Sequence, residues 1–416
     1  MDLLRFITCG SVDDGKSTLI GRLLYDSKSI LADQLEAVEK ASKSRDNGDV
    51  DLALLTDGLR SEREQGITID VAYRYFQTTA RKFIIVDAPG HIQYTRNMVT
   101  GASNCQLAIV LIDARHGVVE QTRRHSLIAS LLGIQHVVVA VNKMDLVDFS
   151  QDVFSNICIQ YTELAQKLNI PDITYIPISA LNGDNVVDRS TAMSWYDGTT
   201  LLNHLETIDI DDTTNHTLSR FPVQYVLRPQ TAELPDYRGY AGKITSGAFR
   251  VGEAVTVLPS GETSTISRIE SNEQDIQEAG VNQSVILHLA DNVDVSRGDL
   301  IVPSTSQPVV SQTVEAMLCW MDTKAFSVGS KYVLQVGTSR TRCVVREIPY
   351  QLNIETYEQV ADVESLKLND LARVVLKTAQ PIAFDPYSQN RANGGAILID
   401  ETSNVTVGAL MLEGEA

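Results

Sequence analysis

The sequence has little of what membrane proteins and disulfide-stabilised proteins need. No stretch approaches the roughly 20 apolar residues of a membrane span. Nothing resembles a signal peptide, because Met1-Asp2 begins acidic and Leu3–Thr8 is too short for an apolar signal core. The five cysteines are widely spaced without a C-x-x-C pair, which argues against a disulfide framework and a zinc site. We therefore expect a protein of the reducing cytoplasm that has no membrane contact.

Positive charge is also scarce. The 416 residues hold 35 Lys and Arg against 53 Asp and Glu, a formal net charge of −18. This acidity disfavours non-specific binding to nucleic acid, although it is compatible with a local basic surface. The length is sufficient for two or three domains with sizeable cores.

Two patterns of hydrophobicity divide the chain. In the first half, apolar runs alternate with amphipathic stretches, which predicts a doubly wound, mostly parallel α/β sheet. From about Phe221, short alternating runs separated by Gly, Pro, Asn and Asp predict two small β-barrels, with a break near Pro303–Pro308. The predicted domains are an α/β domain at 1–210 and β-barrels at 218–305 and 308–416. The predicted buried strands of the first domain are Phe83–Val86, Leu107–Ile112, Val137–Val141 and Ile173–Ile178.

A glycine-rich segment, GSVDDGKS, lies between an apparent strand and an apparent helix. It matches G-x-x-x-x-G-K-[ST], in the context that this phosphate-binding pattern requires. Its glycines allow backbone N–H groups to surround phosphate oxygens, and the helix N-terminus adds the positive end of its dipole. Lys16 is predicted to reach the β- and γ-phosphates, and the Ser17 hydroxyl to hold Mg²⁺. The predicted triphosphate site comprises Gly10, Ser11, Val12, Asp13, Asp14, Gly15, Lys16, Ser17 and Thr18.

Two further segments are placed where they can serve the metal and the γ-phosphate. In DAPGH, Asp87 can hold Mg²⁺ through water, and Gly90 can offer its N–H to the γ-phosphate. In Gly66–Ile69, Thr68 can complete the Mg²⁺ shell from a loop that orders with the γ-phosphate. Taken alone, the first segment is also compatible with a plain turn and the second with a strand entry. Beside the phosphate loop, they predict Ser17, Thr68 and Asp87 as metal ligands.

The base is predicted from the segment NKMD, which follows the apolar run Val137–Val141. The carboxylate of Asp145 can accept hydrogen bonds from the ring N–H and the exocyclic amine of guanine. Adenine lacks that amine and has an acceptor in place of the N–H, so the carboxylate would be left unpaired. The segment Ser179–Leu181 can offer a backbone N–H to the guanine oxygen. The sequence predicts a GTP switch with base contacts from Asn142, Lys143, Asp145, Ser179, Ala180 and Leu181.

The segment DAPGHIQY resembles the D-x-P-G-H-x-x-[FY] segment of the translational GTPase superfamily. Residues 242–261 and 366–387 resemble the second and third domains of elongation factors. The resemblance implies that His91 orients the hydrolytic water, in the role that glutamine has in Ras-like switches. It also implies a hydrophobic gate over that water, formed by Val12 and Ile67, and a monovalent cation near Asp13. The implied catalytic group is His91, Thr68, Lys16, Val12 and Ile67.

Within that superfamily, Leu55–Phe76 is most similar to the GTP-hydrolysing large subunits of bacterial sulfate adenylyltransferase and their nodulation-factor sulfation relatives. Alpha-type elongation factors usually carry a lysine-rich version of this segment. Ser11 and Asp14 also differ from the histidines common in elongation factors, and Ser17 from their threonine. This resemblance implies a GTPase that drives adenylyl sulfate formation from ATP and sulfate, with release of pyrophosphate, on a smaller catalytic partner subunit.

Two other interpretations remain open from the sequence. One is an elongation-factor-type GTPase that delivers aminoacyl-tRNA, for which Tyr237–Tyr240 (YRGY) could form part of a basic, aromatic surface. The other is a stand-alone regulatory GTPase whose barrels bind an effector.

Overall fold

The computed structural model describes residues 2–28, 68, 70–91, 94–210, 217–229 and 237–416. Ile67 and most of Leu55–Phe76, on which part of the sequence interpretation depends, lie outside the described residues. The chain divides into two compact units, one over Met1–Asp211 and Ile354–Tyr357 and one over Asp212–Asn353 and Glu358–Ala416. Among the described residues, no helix is both long and apolar enough to cross a membrane.

The first unit contains a six-stranded sheet of the predicted α/β type, in the order β2-β3-β1-β4-β5-β6. All neighbouring strands are parallel except β2 and β3. The strands are β1 (Leu3–Cys9), β2 (Ala72–Gln77), β3 (Lys82–Asp87), β4 (Leu107–Asp113), β5 (His136–Asn142) and β6 (Asp172–Pro177). The helices are α1 (Lys16–Asp26), α2 (Thr95–Ala102), α3 (Glu120–Leu131), α4 (Gln151–Lys167) and α5 (Leu201–Thr207).

The apolar runs form the centre of this sheet. Every residue of β4 is buried, as expected for a parallel strand that is covered on both faces. Where the strands end, the sequence changes abruptly to polar residues: Asp87 ends β3, Asp113 ends β4 and Asn142 ends β5. Because the carboxyl ends of parallel strands meet at one edge of the sheet, these side chains gather there, where open α/β sheets usually bind ligands.

The second unit contains two closed β-barrels, as the short alternating runs predicted. In the first barrel, β10-β15-β7-β8-β14-β11 form a ring that closes through pairing of β10 with β11. In the second, β18-β23-β24-β16-β22-β19 form a ring that closes through β18 and β19. The strands are β7 (Phe221–Leu227), β8 (Gly239–Lys243), β9 (Ala248–Arg250), β10 (Ala254–Leu258), β11 (Glu262–Ser271), β12 (Gln274–Ile276), β13 (Glu278–Gly280), β14 (Ser284–Leu289), β15 (Leu300–Pro303), β16 (Val309–Trp320), β17 (Phe326–Ser327), β18 (Lys331–Val336), β19 (Ser339–Leu352), β20 (Gln359–Val360), β21 (Ser365–Leu366), β22 (Leu371–Phe384), β23 (Gly395–Ile399) and β24 (Thr406–Glu415), with a short helix, α6 (Arg391–Gly394).

Each barrel has its own apolar core, and both belong to one compact unit. In the second barrel, the ring of Trp320 lies 4.9 Å from that of Phe326 and 5.6 Å from that of Tyr332, measured between centroids. The division of the barrels at residues 305–308 stays a prediction.

A buried ion pair connects the two barrels. Arg220 Nε and Nη2 donate to the two carboxylate oxygens of Asp385 at 2.9 and 2.8 Å. Both side chains are almost fully buried. Asn390 and Asn393 also donate to Asp385, at 3.2 and 2.9 Å, and Arg220 donates to the Ser306 carbonyl at 2.8 Å. Because these hydrogen bonds replace the water that both charges lose, the pair can be held inside the unit.

We expect Arg220→Met to destabilise the second unit by about 3–5 kcal/mol, because it leaves the Asp385 carboxylate buried without its cation. The measurement is the urea midpoint of that unit in the full chain. Arg250→Met, at the exposed pair with Glu278, is the matched control and should shift the midpoint much less. The combined change Arg220→Met and Asp385→Leu should recover part of the loss. Equal shifts for Arg220→Met and its control would contradict this assignment.

Candidate functional site

The loop from Gly10 to Ser17 connects β1 to α1 in the position that the phosphate-binding pattern predicts. Gly15 ends the loop with φ of +91°, in the left-handed region. A Cβ at Gly15 would lie 2.5 Å from the side-chain nitrogen of Asn142. Both the backbone conformation and the available space therefore require glycine where the loop turns into the helix.

The loop is held in shape by its own polar groups. Asp14 is buried, and its Oδ2 accepts a hydrogen bond from the Ser11 backbone N–H at 2.5 Å. Burial raises the pKa of Asp14, and the Ser11 N–H acts in the opposite direction. The Asp14 carboxylate thus lies within the loop itself. Asp13, in contrast, is exposed and has φ of +70°.

Lys16 begins α1, and its side chain folds back over the loop. Its Nζ donates to the carbonyl oxygens of Gly10 at 2.9 Å and Ser11 at 2.8 Å. Burial lowers the pKa of this ammonium, while Asp87 and Asp14 oppose that effect. A buried cation that hydrogen-bonds neutral carbonyls favours an anion beside it. This environment fits the predicted contact between Lys16 and a phosphate.

The DAPGH segment lies directly against this loop. Asp87 ends β3 and is 2% exposed. A Cβ at Gly90 would lie 2.5 Å from Lys16 Nζ and 2.6 Å from the carbonyl oxygen of Gly10. The backbone at Gly90 therefore contacts the phosphate loop, and its neighbour His91 is half-buried at the same place. The ring of His91 lies 6.1 Å from the ring of Tyr94.

The remaining residues predicted for the phosphate and metal side are partly or largely exposed, as far as the structure describes them. Val12 is 37% exposed, and Ser17 and Thr18 in the first turn of α1 are half-buried. Thr68 is also half-buried, and Ile67 lies outside the described residues.

Four of the residues predicted to read the base form two hydrogen-bonded pairs across the loops after β5 and β6. Asn142 Nδ2 donates to the Asp14 carbonyl at 2.7 Å, and Asn142 Oδ1 accepts from the Ala180 N–H at 2.9 Å. The Ser179 hydroxyl donates to Asp145 Oδ1 at 2.6 Å. One carboxylate oxygen of Asp145 is thereby oriented by Ser179. The following residue, Leu181, is 64% exposed.

Sequence reasoning missed Asp113, which anchors Lys143. Lys143 Nζ donates to the backbone carbonyl of Asp13 and lies 3.0 Å from Asp113 Oδ2. Arg115 holds the same carboxylate through Nε at 3.0 Å and Nη2 at 2.6 Å. Burial alone raises the pKa of Asp113, but the hydrogen bonds from Arg115 and Lys143 outweigh it and hold the pKa below its usual range. The position of Asp113 at the end of an apolar strand was the available signal.

Arg22 was missed for a different reason. Its Nε donates to the Ala180 carbonyl at 3.2 Å, and its Nη2 donates to the Leu181 carbonyl. It therefore connects α1, which follows the phosphate loop, to the loop after β6. No local pattern marks Arg22, because its partners are about 160 residues away in the chain.

The oxygen donors predicted as metal ligands have the chemistry that Mg²⁺ prefers. Ser17 and Thr68 offer hydroxyls and Asp87 a carboxylate, and Mg²⁺ is usually bound by one or two carboxylates together with substrate phosphates. This chemistry fits a magnesium ion shared with a triphosphate. In the part of the chain that the structure describes, no three His, Cys, Asp or Glu side chains form a metal cluster.

Comparison with protein families supports this description of the fold. Residues 1–222 match the elongation factor Tu GTP binding domain, and residues 313–413 match the GTP-eEF1A C-terminal domain-like family. The first match covers more than half of the chain, so the predicted membership of the translational GTPase superfamily is confirmed.

Curated relatives match nearly the whole chain. Sulfate adenylyltransferase subunit 1 of Cellvibrio japonicus is 54% identical, over 99% of this chain and 86% of the relative. The protein of the same name from Aliarcobacter butzleri is 53% identical, over 100% of this chain and 88% of the relative. The bifunctional enzyme CysN/CysC of Mycobacterium tuberculosis is 52% identical, over 99% of this chain and 67% of the relative. The chain therefore belongs to the sulfate adenylyltransferase subunit 1 family, within the GTPases that have an elongation factor Tu GTP binding domain.

Proposed function

We propose that this chain is the GTP-hydrolysing subunit of a heteromeric, cytoplasmic sulfate adenylyltransferase. Hydrolysis of GTP on this chain would drive formation of adenylyl sulfate and pyrophosphate from ATP and sulfate on a smaller catalytic subunit. The observation that carries this proposal is similarity over 99% of the chain to proteins named as subunit 1 of that enzyme. Membership in a GTP binding family supports the choice of nucleotide.

The sequence also favours a separate catalytic subunit. We assign the phosphate loop at Gly10–Ser17 to the GTP site. The 416 residues contain no second nucleotide motif such as S-G-G-x-D-S. Adenylyl transfer needs its own ATP site, which a partner would supply. Coupling the two reactions requires an element whose conformation depends on the bound nucleotide and that contacts the partner. We assign Gln65–Asp70 and His91–Met98 to that element.

The loop geometry supports the proposed binding step. Backbone N–H groups at the start of α1 and the Lys16 ammonium would hold the phosphates of GTP, because both are positive and already in place. Asp145 would accept hydrogen bonds from guanine while Ser179 keeps its carboxylate oriented. Asn142 and Lys143 would hold the base side and the phosphate side of the site together. The exposed Asp13 would take the monovalent cation that the family resemblance implies.

For hydrolysis, His91 would orient the attacking water, and Val12 with Ile67 would shield it from bulk solvent. Ser17, Thr68 and Asp87 would hold Mg²⁺, which supplies positive charge for the developing charge on the phosphates. The half-buried position of His91 beside the phosphate loop is compatible with this role.

The proposal predicts that GTP turnover by the chain rises when the small sulfurylase subunit, ATP and sulfate are all present. The measurement is phosphate release from GTP, with aminoacyl-tRNA in a parallel reaction. Omission of sulfate is the control, because coupling needs the complete partner reaction. Stimulation by aminoacyl-tRNA alone would support the elongation-factor interpretation and reject this one.

Replacing His91 by Ala should reduce GTP turnover by about 10²–10⁴-fold with little change in GTP affinity, since the role of His91 is to position water. Single-turnover hydrolysis and fluorescent-nucleotide binding separate the two effects. His91→Gln is the matched variant and should keep part of the activity, because an amide can also orient water. Unimpaired turnover in His91→Ala would reject this role.

Asp145→Asn should shift the preference from GTP to xanthosine triphosphate, because an amide can donate a hydrogen bond to the extra oxygen of xanthine. Competition binding with both nucleotides measures the shift. Asp148→Asn, at an exposed carboxylate three residues later, is the control and should keep the preference for GTP. Unchanged preference in Asp145→Asn would refute the base-reading role.

A further inference from the structure

The second unit has two adjoining cavities that residues of both barrels line. Their volumes are about 230 and 340 Å³. Arg297 from the first barrel and Thr338 and Arg340 from the second line both of them. We call the pair the inter-barrel cleft. Its size reaches the lower end of the range usual for small-molecule sites.

Both arginines of the inter-barrel cleft are exposed. Some arginines of the second unit, Arg250, Arg342 and Arg373, each form an ion pair with a carboxylate, whereas Arg228 and Arg346 form none with the residues that the structure describes. Within the described residues, neither Arg297 nor Arg340 has a carboxylate within ion-pair distance. In a chain with 53 acidic and 35 basic residues, partner carboxylates are abundant. Two unpaired guanidinium groups at one cavity therefore leave room for an external anion.

Each guanidinium group is already oriented by a neutral hydrogen bond. Arg340 Nε donates to Gln335 Oε1 at 2.7 Å, and Gln335 Nε2 in turn donates to the Gly337 carbonyl at 3.1 Å. Arg297 Nη1 donates to the Gln224 carbonyl at 2.9 Å. Each of these hydrogen bonds uses one N–H of a guanidinium group. The remaining N–H groups of each arginine are available for a bidentate contact with an oxyanion.

The remaining lining indicates what else the ligand carries. The cavity of about 230 Å³ has an apolar wall, formed by Pro222, Pro259, Pro381 and Ile382. The carboxylate of Asp299 lines the same cavity, and its Oδ2 accepts a hydrogen bond from the Ser296 N–H at 2.7 Å. The two arginines leave the lining with net positive charge. An anion that also has an apolar body would use both kinds of surface.

We propose that the inter-barrel cleft binds a small organic phosphate or sulfate ester. Arg297 and Arg340 contact the oxyanion, and the proline-rich wall contacts the organic part. The site is separate from the GTP site, since every lining residue belongs to the second unit. It gives the barrels a ligand-binding role of their own.

The test uses the full chain saturated with GDP and Mg²⁺, so that the phosphate loop is already occupied. Binding of AMP, inorganic phosphate and inorganic sulfate is measured by calorimetry. We expect AMP to bind, and the double change Arg297→Gln and Arg340→Gln to weaken its binding at least about tenfold. Arg250→Gln, at an arginine outside the cavity lining, is the matched control and should leave the affinity unchanged.

The melting temperature of the double variant separates loss of ligand binding from loss of folding. It should equal that of the unmodified chain, because both arginine side chains are exposed. AMP binding tighter than that of either inorganic ion supports a contact with the apolar wall, and equal affinities for all three would overturn the proposed contact with an organic part. The proposal is overturned if none of the three anions binds at millimolar concentration, or if the double variant binds AMP like the unmodified chain.

Discussion

The side-chain amide of Asn142 is the contact on which the candidate site depends. Its nitrogen donates to the carbonyl of Asp14 in the phosphate loop, and its oxygen accepts from the N–H of Ala180 after β6. One planar group thus sets the spacing between the loop predicted to bind phosphates and the loop predicted to bind the base. The same nitrogen occupies the space beside Gly15 that any Cβ would need.

The contacts around Asn142 connect the loops at this edge of the sheet to one another. Lys143 connects Asp113 to the backbone of Asp13, and Arg22 connects α1 to the loop after β6. Most of these bonds use backbone carbonyls, so they position the loops through the main chain. Contacts of this kind reduce the ordering that ligand binding must bring about, which favours tight binding.

In the second unit, too, a polar side-chain contact connects two parts of the fold. The Arg220–Asp385 pair connects the barrels through two hydrogen bonds in a buried setting. Its charges are satisfied by neighbouring amides and carbonyls, so it fixes how the barrels meet. The lining of the inter-barrel cleft also comes from both barrels. The unpaired arginines there contrast with Arg220, whose carboxylate lies within the protein.

The sequence by itself determined the α/β plan, the two barrels and the order of the nucleotide-binding segments, because these depend on local periodicity and on short motifs. It also indicated the family, through Leu55–Phe76 and DAPGHIQY. Only the tertiary structure revealed Asp113 beside Lys143, Arg22 on the loop after β6, and Arg220 paired with Asp385. These partners come from different elements and, for Arg22 and Arg220, lie more than 150 residues apart in the chain. Local patterns carry no information about such pairs, because folding of the whole unit is what brings them together.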